Sequence, residues 1–207
     1  MNAENEGLRG RGRPRDGEID ANIRDTAWAL LADHGYEGLT FEALAESVGC
    51  SRATLYRRFA SKDALLATIL DESSRAVEPV ILPEMTPREA LLAHAMACRT
   101  LMSGHQGRAL LRLDAILRAN AELGAATERQ MDQEIDYYRR ELLRIDPQAT
   151  RADLDFASHT LVGSIIYHAA LLRRELEPKR VEQLVDQAIA LVEARRAAHH
   201  VGTGPAE

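Results

Sequence analysis

Residues 51–59, SRATLYRRF, combine hydroxyl and guanidinium side chains in one short run. Arginine can donate paired hydrogen bonds to a guanine edge or a phosphate, and Ser, Thr and Tyr hydroxyls can donate to phosphate oxygens. If the run is helical, Leu55 and Phe59 lie four residues apart and face a core. The outer and flanking faces then carry Arg52, Ala53, Thr54, Tyr56, Arg57 and Arg58. This pattern is typical of a helix that enters the major groove of DNA.

The residues just before this run predict another short helix. Thr40 is suited to cap its N-terminus, and Glu42 in the first turn complements the helix dipole. One apolar stripe at helical spacing consists of Phe41, Leu44, Ala45 and Val48. Gly49 can adopt the positive φ that ends a helix, and Ser51 can cap the next one. Residues 40–59 therefore predict two helices joined by a tight turn.

Two further helices are predicted on either side of this pair. The earlier helix is predicted to end at Gly35. Its apolar residues at helical spacing are Ile19, Ile23, Ala27, Leu30 and Leu31. The later helix is capped by Ser61 and continues through Leu65, Leu66, Ile69 and Leu70. Lys62 lies at its N-terminus, where its ammonium, the free backbone N–H groups and the helix dipole can together bind a phosphate.

Gly35-Tyr36, Thr40 and the run GCSRATLYRRFASKDALL together resemble the DNA-binding domain of the tetracycline-repressor (TetR) family of bacterial transcription regulators. The resemblance covers roughly residues 18–70, and only Cys50 departs from the family's usual apolar residue. It implies phosphate contacts from Thr40, Tyr56 and Lys62, and base or phosphate contacts from Arg52, Thr54 and Arg57. The full predicted set of DNA contacts is Arg11, Arg13, Arg15, Thr40, Ser51, Arg52, Ala53, Thr54, Tyr56, Arg57 and Lys62.

The N-terminal segment 1–17 is predicted to be a disordered basic arm. Residues 9–15, RGRGRPR, hold four arginines and no acid, so they cannot pack a core. The Gly-Arg-Pro element resembles the arginine-proline grip that AT-hook peptides place in a narrow minor groove. The alternative is a solubilising tail with no role in binding.

Composition limits the class of protein. The 207 residues are 45% apolar, enough for buried cores, yet no run of about eighteen apolar residues and no signal peptide is present. We therefore expect a cytoplasmic protein with no membrane partner. The net charge of −6 is offset locally, because residues 9–15 and 52–62 each carry four positive charges and no acid. Two cysteines without a partner motif predict no disulfide framework.

Beyond residue 70 the sequence predicts helices only, so the fold class is all-α. We expect a helix-turn-helix DNA-binding domain over 18–78, a helical regulatory and dimerisation bundle over 79–200, and a disordered tail over 201–207. Prolines at 79, 83 and 87 mark the linker between the two domains. The predicted helices of the bundle span about 87–103, 106–121, 125–145, 150–175 and 178–197.

The last two helices carry apolar seams whose spacing is typical of helix pairing. The seam residues are Leu154, Ser158, Leu161, Ile165, His168 and Leu172, then Val181, Val185, Ala188 and Val192. Two copies of this helix pair would form a four-helix dimer interface, and the stretch also resembles the pair that makes the homodimer in the TetR family. The alternative is a single-chain bundle in which both seams are buried internally.

By the same resemblance, the middle helices would enclose a pocket for a small molecule. The candidate lining residues are His94, Cys98, Arg99, Met102, Arg112, Asp114, Tyr137 and Tyr138. Each also has a simpler explanation. Methionines at helical spacing usually fill cores, Asp114 with Arg118 is an ordinary i, i+4 pair, and His94 with Cys98 lacks the further ligands that a metal needs. We predict neither a metal nor a cofactor.

Three classes of function remain to be compared. The sequence lacks a Walker loop, HExxH, GxSxG and any cluster of Cys and His, which argues against an enzyme. An architectural DNA-binding protein, or a regulator without an effector, is the second alternative. The prediction we favour is a homodimeric repressor that binds a palindromic operator in double-stranded DNA and is released by a small-molecule effector of unknown identity.

Overall fold

A computed structural model of the chain describes residues 16–76, 78–174 and 176–201. Within them the chain is all helical, without strands, which confirms the predicted fold class. The helices are α1 (Asp16–Gly38), α2 (Phe41–Val48), α3 (Arg52–Tyr56), α4 (Lys62–Ala76), α5 (Pro87–Ser103), α6 (His105–Ala119), α7 (Ala121–Ile145), α8 (Arg151–Ile166), a π-helical turn (Tyr167–Leu171) and α9 (Pro178–Val201). None of these helices is long and apolar enough to cross a membrane.

Local capping determines where α2, α3 and α4 begin and end. The Thr40 hydroxyl accepts the Ala43 N–H at 3.1 Å, the Ser51 hydroxyl accepts that of Thr54 at 3.2 Å, and the Ser61 hydroxyl accepts that of Ala64 at 3.1 Å. Gly49 ends α2 with φ 74°, and Gly35 interrupts the helical path of α1 with φ 70°. These positive φ values are why glycine is favoured at both positions.

The first four helices share one core with α6 and the beginning of α7. Trp28, Leu44, Leu55 and Leu66 are at most 1% exposed, and Leu113 of α6 joins the same cluster. The Arg112 guanidinium of α6 also donates to the Asp33 carbonyl of α1 at 2.9 Å. The helix-turn-helix unit therefore packs directly on α6.

The second core lies between α5, α7, α8 and α9, and it contains the seams predicted to meet a second copy. Eight of the ten seam residues are at most 6% exposed within one chain: Leu154, Ser158, Leu161, Ile165, Val181, Val185, Ala188 and Val192. Leu91 of α5 and Leu142 of α7 pack in the same cluster. The burial of these eight residues fits the alternative prediction of a bundle within a single chain, because other helices of the same chain already cover their side chains. Little of their surface is therefore left for a contact between copies.

The remaining two seam residues are displaced by the π-helical turn. We expected one helix over 150–175, but the Leu172 N–H bonds to the Tyr167 carbonyl at 2.9 Å, five residues back, and Arg173 has φ 51°. A π turn inserts one extra residue, which rotates the following side chains off the seam. Ala169 is consequently buried, whereas Leu172 is 38% exposed.

Helix α7 also begins earlier than the predicted residue 125. The Asn120 side chain accepts the Leu123 N–H at 3.2 Å and caps the helix. Gly124 therefore lies inside the first turn of α7, since its N–H bonds to the Asn120 carbonyl at 2.9 Å. A stronger N-cap just upstream overrides the helix-breaking tendency of the glycine.

Candidate nucleic-acid interface

Helix α3 rests on a single buried anchor and presents its polar side chains outward. Leu55 is fully buried, while Tyr56 is 60% exposed and packs edge-on against the Phe41 ring at 4.7 Å between centroids. The Ser51 and Thr54 hydroxyls lie 2.9 Å apart on the exposed side. The helix is shorter than the predicted 52–59, because Arg57 already forms its C-cap. The Arg57 guanidinium donates to the Thr54 hydroxyl at 3.3 Å.

Two arginines of this region are paired with acids of neighbouring helices. Arg52 contacts the Glu42 carboxylate at 2.6 Å, and both side chains are exposed, at 62% and 63%. Arg58 contacts Asp20 of α1 at 2.7 Å. The hydrogen bond from Arg52 lowers the pKa of Glu42 below its usual value. A DNA phosphate or base edge must therefore compete with Glu42 for Arg52.

Replacing Glu42 by glutamine is expected to raise affinity for non-operator DNA by about threefold and to steepen its salt dependence, because phosphates gain a free Arg52 and lose a repulsive neighbour. Titrations at several salt concentrations would measure both effects. Glu46→Gln is the matched control, since Glu46 is exposed on the same helix and makes the same change in net charge. Equal effects from the two variants would show that Glu42 has no special role.

Lys62 lies against the first helix of the domain. Its Nζ lies 3.7 Å from the Tyr36 ring centroid and donates to the Tyr36 carbonyl at 3.0 Å. The Tyr36 hydroxyl in turn donates to the Asp63 carboxylate. Burial and this carboxylate raise the pKa of Tyr36 to about 12, so the phenol stays protonated. Lys62 would therefore contact a DNA phosphate either while its ammonium still contacts Tyr36 or after the ammonium has moved away from Tyr36.

The three arm arginines of the predicted contact set, Arg11, Arg13 and Arg15, lie outside the described residues. The other members, Thr40, Ser51–Thr54, Tyr56, Arg57 and Lys62, belong to α2, α3, α4 or their caps. Their roles toward DNA stay predictions.

A cleft of about 610 Å³ opens between the linker, α5 and α7. Its lining consists of Glu78, Pro79, Ile81, His94, Tyr137, Arg140, Glu141, Leu143 and Arg144. Of the predicted pocket residues, only His94 and Tyr137 take part. Sequence reasoning missed the others, although positions 137, 140, 141 and 144 have the spacing of one helix face.

The remaining candidates for the pocket lie elsewhere. Arg99 donates to the Leu176 carbonyl, and Arg112 donates to α1. Cys98 lies on α5 beside Tyr138 of α7, and burial raises the pKa of its thiol to about 12. Met102 lies on α5 outside the cleft lining, and the side chain of Asp114 is outside the described residues. Helical spacing alone does not specify which face of each helix lines the opening.

The geometry around His94 is set by two tyrosines. The His94 ring stacks on Tyr137 with centroids 4.8 Å apart and planes 17° apart, and Tyr138 lies at 5.8 Å. Burial lowers the pKa of His94, so the imidazole is neutral at neutral pH. The Tyr137 hydroxyl donates to the Glu78 carboxylate at 2.7 Å. Among the described residues, no group of three His, Cys, Asp or Glu side chains is arranged to bind a metal.

The outward face of α8 and the π-helical turn exposes large apolar side chains. Phe156, Tyr167 and Leu171 are 51%, 52% and 58% exposed. Gly163 lies on the same face between the two aromatic residues, and a Cβ added there would meet no atom within 4 Å. This stripe is the apolar surface that the internal seams leave uncovered.

Comparison with known proteins gives consistent matches. The family model for bacterial regulatory proteins of the tetR family matches residues 23–69. The uncharacterized HTH-type transcriptional regulator YdeS of Bacillus subtilis is 24% identical over 90% of this chain and 96% of its own. The HTH-type transcriptional repressor AcnR of Corynebacterium diphtheriae is 39% identical over 28% of this chain and 31% of its own. The crystal structure of a TetR-like transcriptional regulator from Rhodococcus sp. RHA1 superposes with a TM-score of 0.67 at 20% identity, covering 88% and 99% of the two chains.

Proposed function

Because the chain belongs to the TetR family of DNA-binding transcriptional regulators, we propose that it is a homodimeric repressor that binds a palindromic operator and releases it when a small molecule binds. The observation that carries this proposal is the exposed face of α3. Helix α3 is capped by Ser51, and Leu55 is its one buried residue. Its exposed face therefore offers a guanidinium and several hydroxyls within one helical turn. Such a surface suits base and phosphate contacts in a major groove.

The proposed DNA contacts follow from this surface. Arg52 and Thr54 would face base edges or phosphates, with Ser51, Ala53 and Arg57 beside them. Thr40 and Tyr56 would contact DNA phosphates on one side of α3, and Lys62 would contact a phosphate on the other side. The arm arginines Arg11, Arg13 and Arg15 would enter the adjacent minor groove.

We place the contact between copies on the outer face of α8 rather than on the buried seams. Phe156, Gly163 and Tyr167 would form its centre, because Gly163 lets a second helix approach closely while the exposed aromatic rings lose contact with water. A two-fold axis through this face would present two copies of α3 to inverted half-sites.

The effector would bind in the cleft between the linker, α5 and α7. The Tyr137–Glu78 hydrogen bond joins α7 to the linker that follows α4. A ligand that rearranges this bond would change the position of the DNA-binding helices relative to the bundle.

Selection from random DNA by the purified protein tests the proposal. The expected product is two inverted half-sites whose centres are about one helical turn or a wider multiple apart, bound about 10³-fold or more tightly than random DNA. Selection of a single unsymmetrical site would contradict a dimer that binds a palindromic operator. A low ratio between selected and random DNA would favour the architectural alternative.

A further inference from the structure

We propose that the cleft between the linker, α5 and α7 binds a small organic monocarboxylate, with Arg140 pairing to its carboxylate group and His94 hydrogen bonding to it. This inference deepens the proposed effector function and rests on it only for the effect on DNA. The cleft of about 610 Å³ lies in the range typical of small-molecule sites.

Among the described residues, the charges around the cleft leave one cation, Arg140, without a carboxylate partner. Arg144 pairs with the Glu141 carboxylate at 2.5 Å and donates to the Met85 carbonyl at 3.1 Å. Glu78 accepts the hydroxyl of Tyr137. Arg140, by contrast, lies over the Tyr137 ring at 4.8 Å and has no carboxylate partner among the described residues. A ligand carboxylate would supply the bidentate acceptor that guanidinium groups prefer.

His94 provides an independent indication of a ligand. The residue is only 7% exposed and lines the cleft, and its ring nitrogens make no hydrogen bond to the described residues but keep access to solvent. A neutral imidazole offers one donor and one acceptor, and both are available to a ligand in the cleft. A carboxylate would accept from the donor nitrogen.

The other residues that line the cleft restrict the net charge of the ligand and the polarity of the part beyond its carboxylate. Pro79, Ile81 and Leu143 give one side of the cleft an apolar wall. Glu78 and Glu141 would repel a second negative charge, so a dianion is disfavoured. A single carboxylate on an apolar body fits these features.

The test compares octanoate and benzoate with their neutral amides, octanamide and benzamide, by calorimetry on the full chain up to millimolar concentrations. We expect each carboxylate to bind at least about tenfold more tightly than its amide, since a charged hydrogen-bonded pair is lost in the amide. Shifts of the His94 imidazole signals in NMR spectra would place the binding in this cleft. Equal binding of acid and amide, or no binding of either carboxylate, would overturn the proposal.

Two arginine variants assign the effect to Arg140. Arg140→Gln should remove the preference for the carboxylate, whereas Arg129→Gln should keep it, because Arg129 is exposed on the same helix outside the cleft. Loss of preference in both variants, or in neither, would contradict the assignment.

The proposed ligand class and the proposed effector role can be contradicted independently, by different results. Carboxylate binding that leaves operator affinity unchanged would support the site and contradict the effector role. Release of the operator only by ligands without a carboxylate would contradict the monocarboxylate and leave the repressor intact.

Discussion

Replacing Gly163 by glutamate is expected to convert the proposed dimer into folded monomers and to weaken binding to the proposed operator by about a hundredfold or more. A monomer reaches only one half-site and therefore loses the second set of contacts. The fold itself should tolerate the change, because a Cβ at this exposed helical position meets nothing within 4 Å. Glutamate is also a better helix former than glycine. Sedimentation and operator titration would measure the two effects.

Gly17→Glu is the matched control for oligomeric state. Gly17 is likewise an exposed helical glycine with open space around its Cα, but it lies on α1. Helical content measured by circular dichroism should be retained in both variants. A Gly163→Glu protein that stays dimeric would exclude the outer face of α8 as the contact between copies.

Replacing Arg52 by alanine is expected to abolish discrimination at one base position of each half-site, at a cost of about 1–3 kcal/mol on the matched operator. Lys62→Ala should instead weaken matched and mutated operators alike and lower the salt slope by about one. Affinities for both operators at several salt concentrations would separate the two outcomes. Equal loss of discrimination in the two variants would contradict the assigned roles.

The structure adds two controls to this comparison. Removing Arg52 frees the Glu42 carboxylate, whose repulsion would weaken all DNA binding, so the double variant Glu42→Gln, Arg52→Ala isolates the effect on discrimination. Lys62 contacts the ring and carbonyl of Tyr36, so the thermal stability of Lys62→Ala must be measured beside its affinity.

The sequence was sufficient for the helix-turn-helix unit because its signals are local. A cap bonds to a residue three positions away, as Thr40 does to Ala43 and Ser51 to Thr54. The positive φ of Gly49 depends on its own backbone. Such features are visible in a short window of sequence, and the resemblance to the TetR family rests on the same window.

The seams of α8 and α9 show what a local pattern leaves open. Their spacing predicts faces that pack against other helices, yet spacing does not tell whether the covering helix belongs to the same chain or to a second copy. Packing of α5 and α7 against both helices covers them within one chain. The π-helical turn at Tyr167–Leu171 then displaces His168 and Leu172 from the seam, a rearrangement of backbone hydrogen bonds that apolar periodicity does not encode.

The sequence by itself thus determined the caps at Thr40, Gly49 and Ser51 and the surface chemistry of α3, because each depends on residues within about one turn of one another. Only the tertiary structure decided which charged and polar side chains meet. Arg52 and Glu42, Lys62 and Tyr36, and Tyr137 and Glu78 are brought together from different elements. It also decided that Arg140 and His94 share one cleft and that the outer face of α8 stays uncovered. Side chains far apart in sequence meet only after the helices pack, so their pairing follows from the packing and not from their spacing.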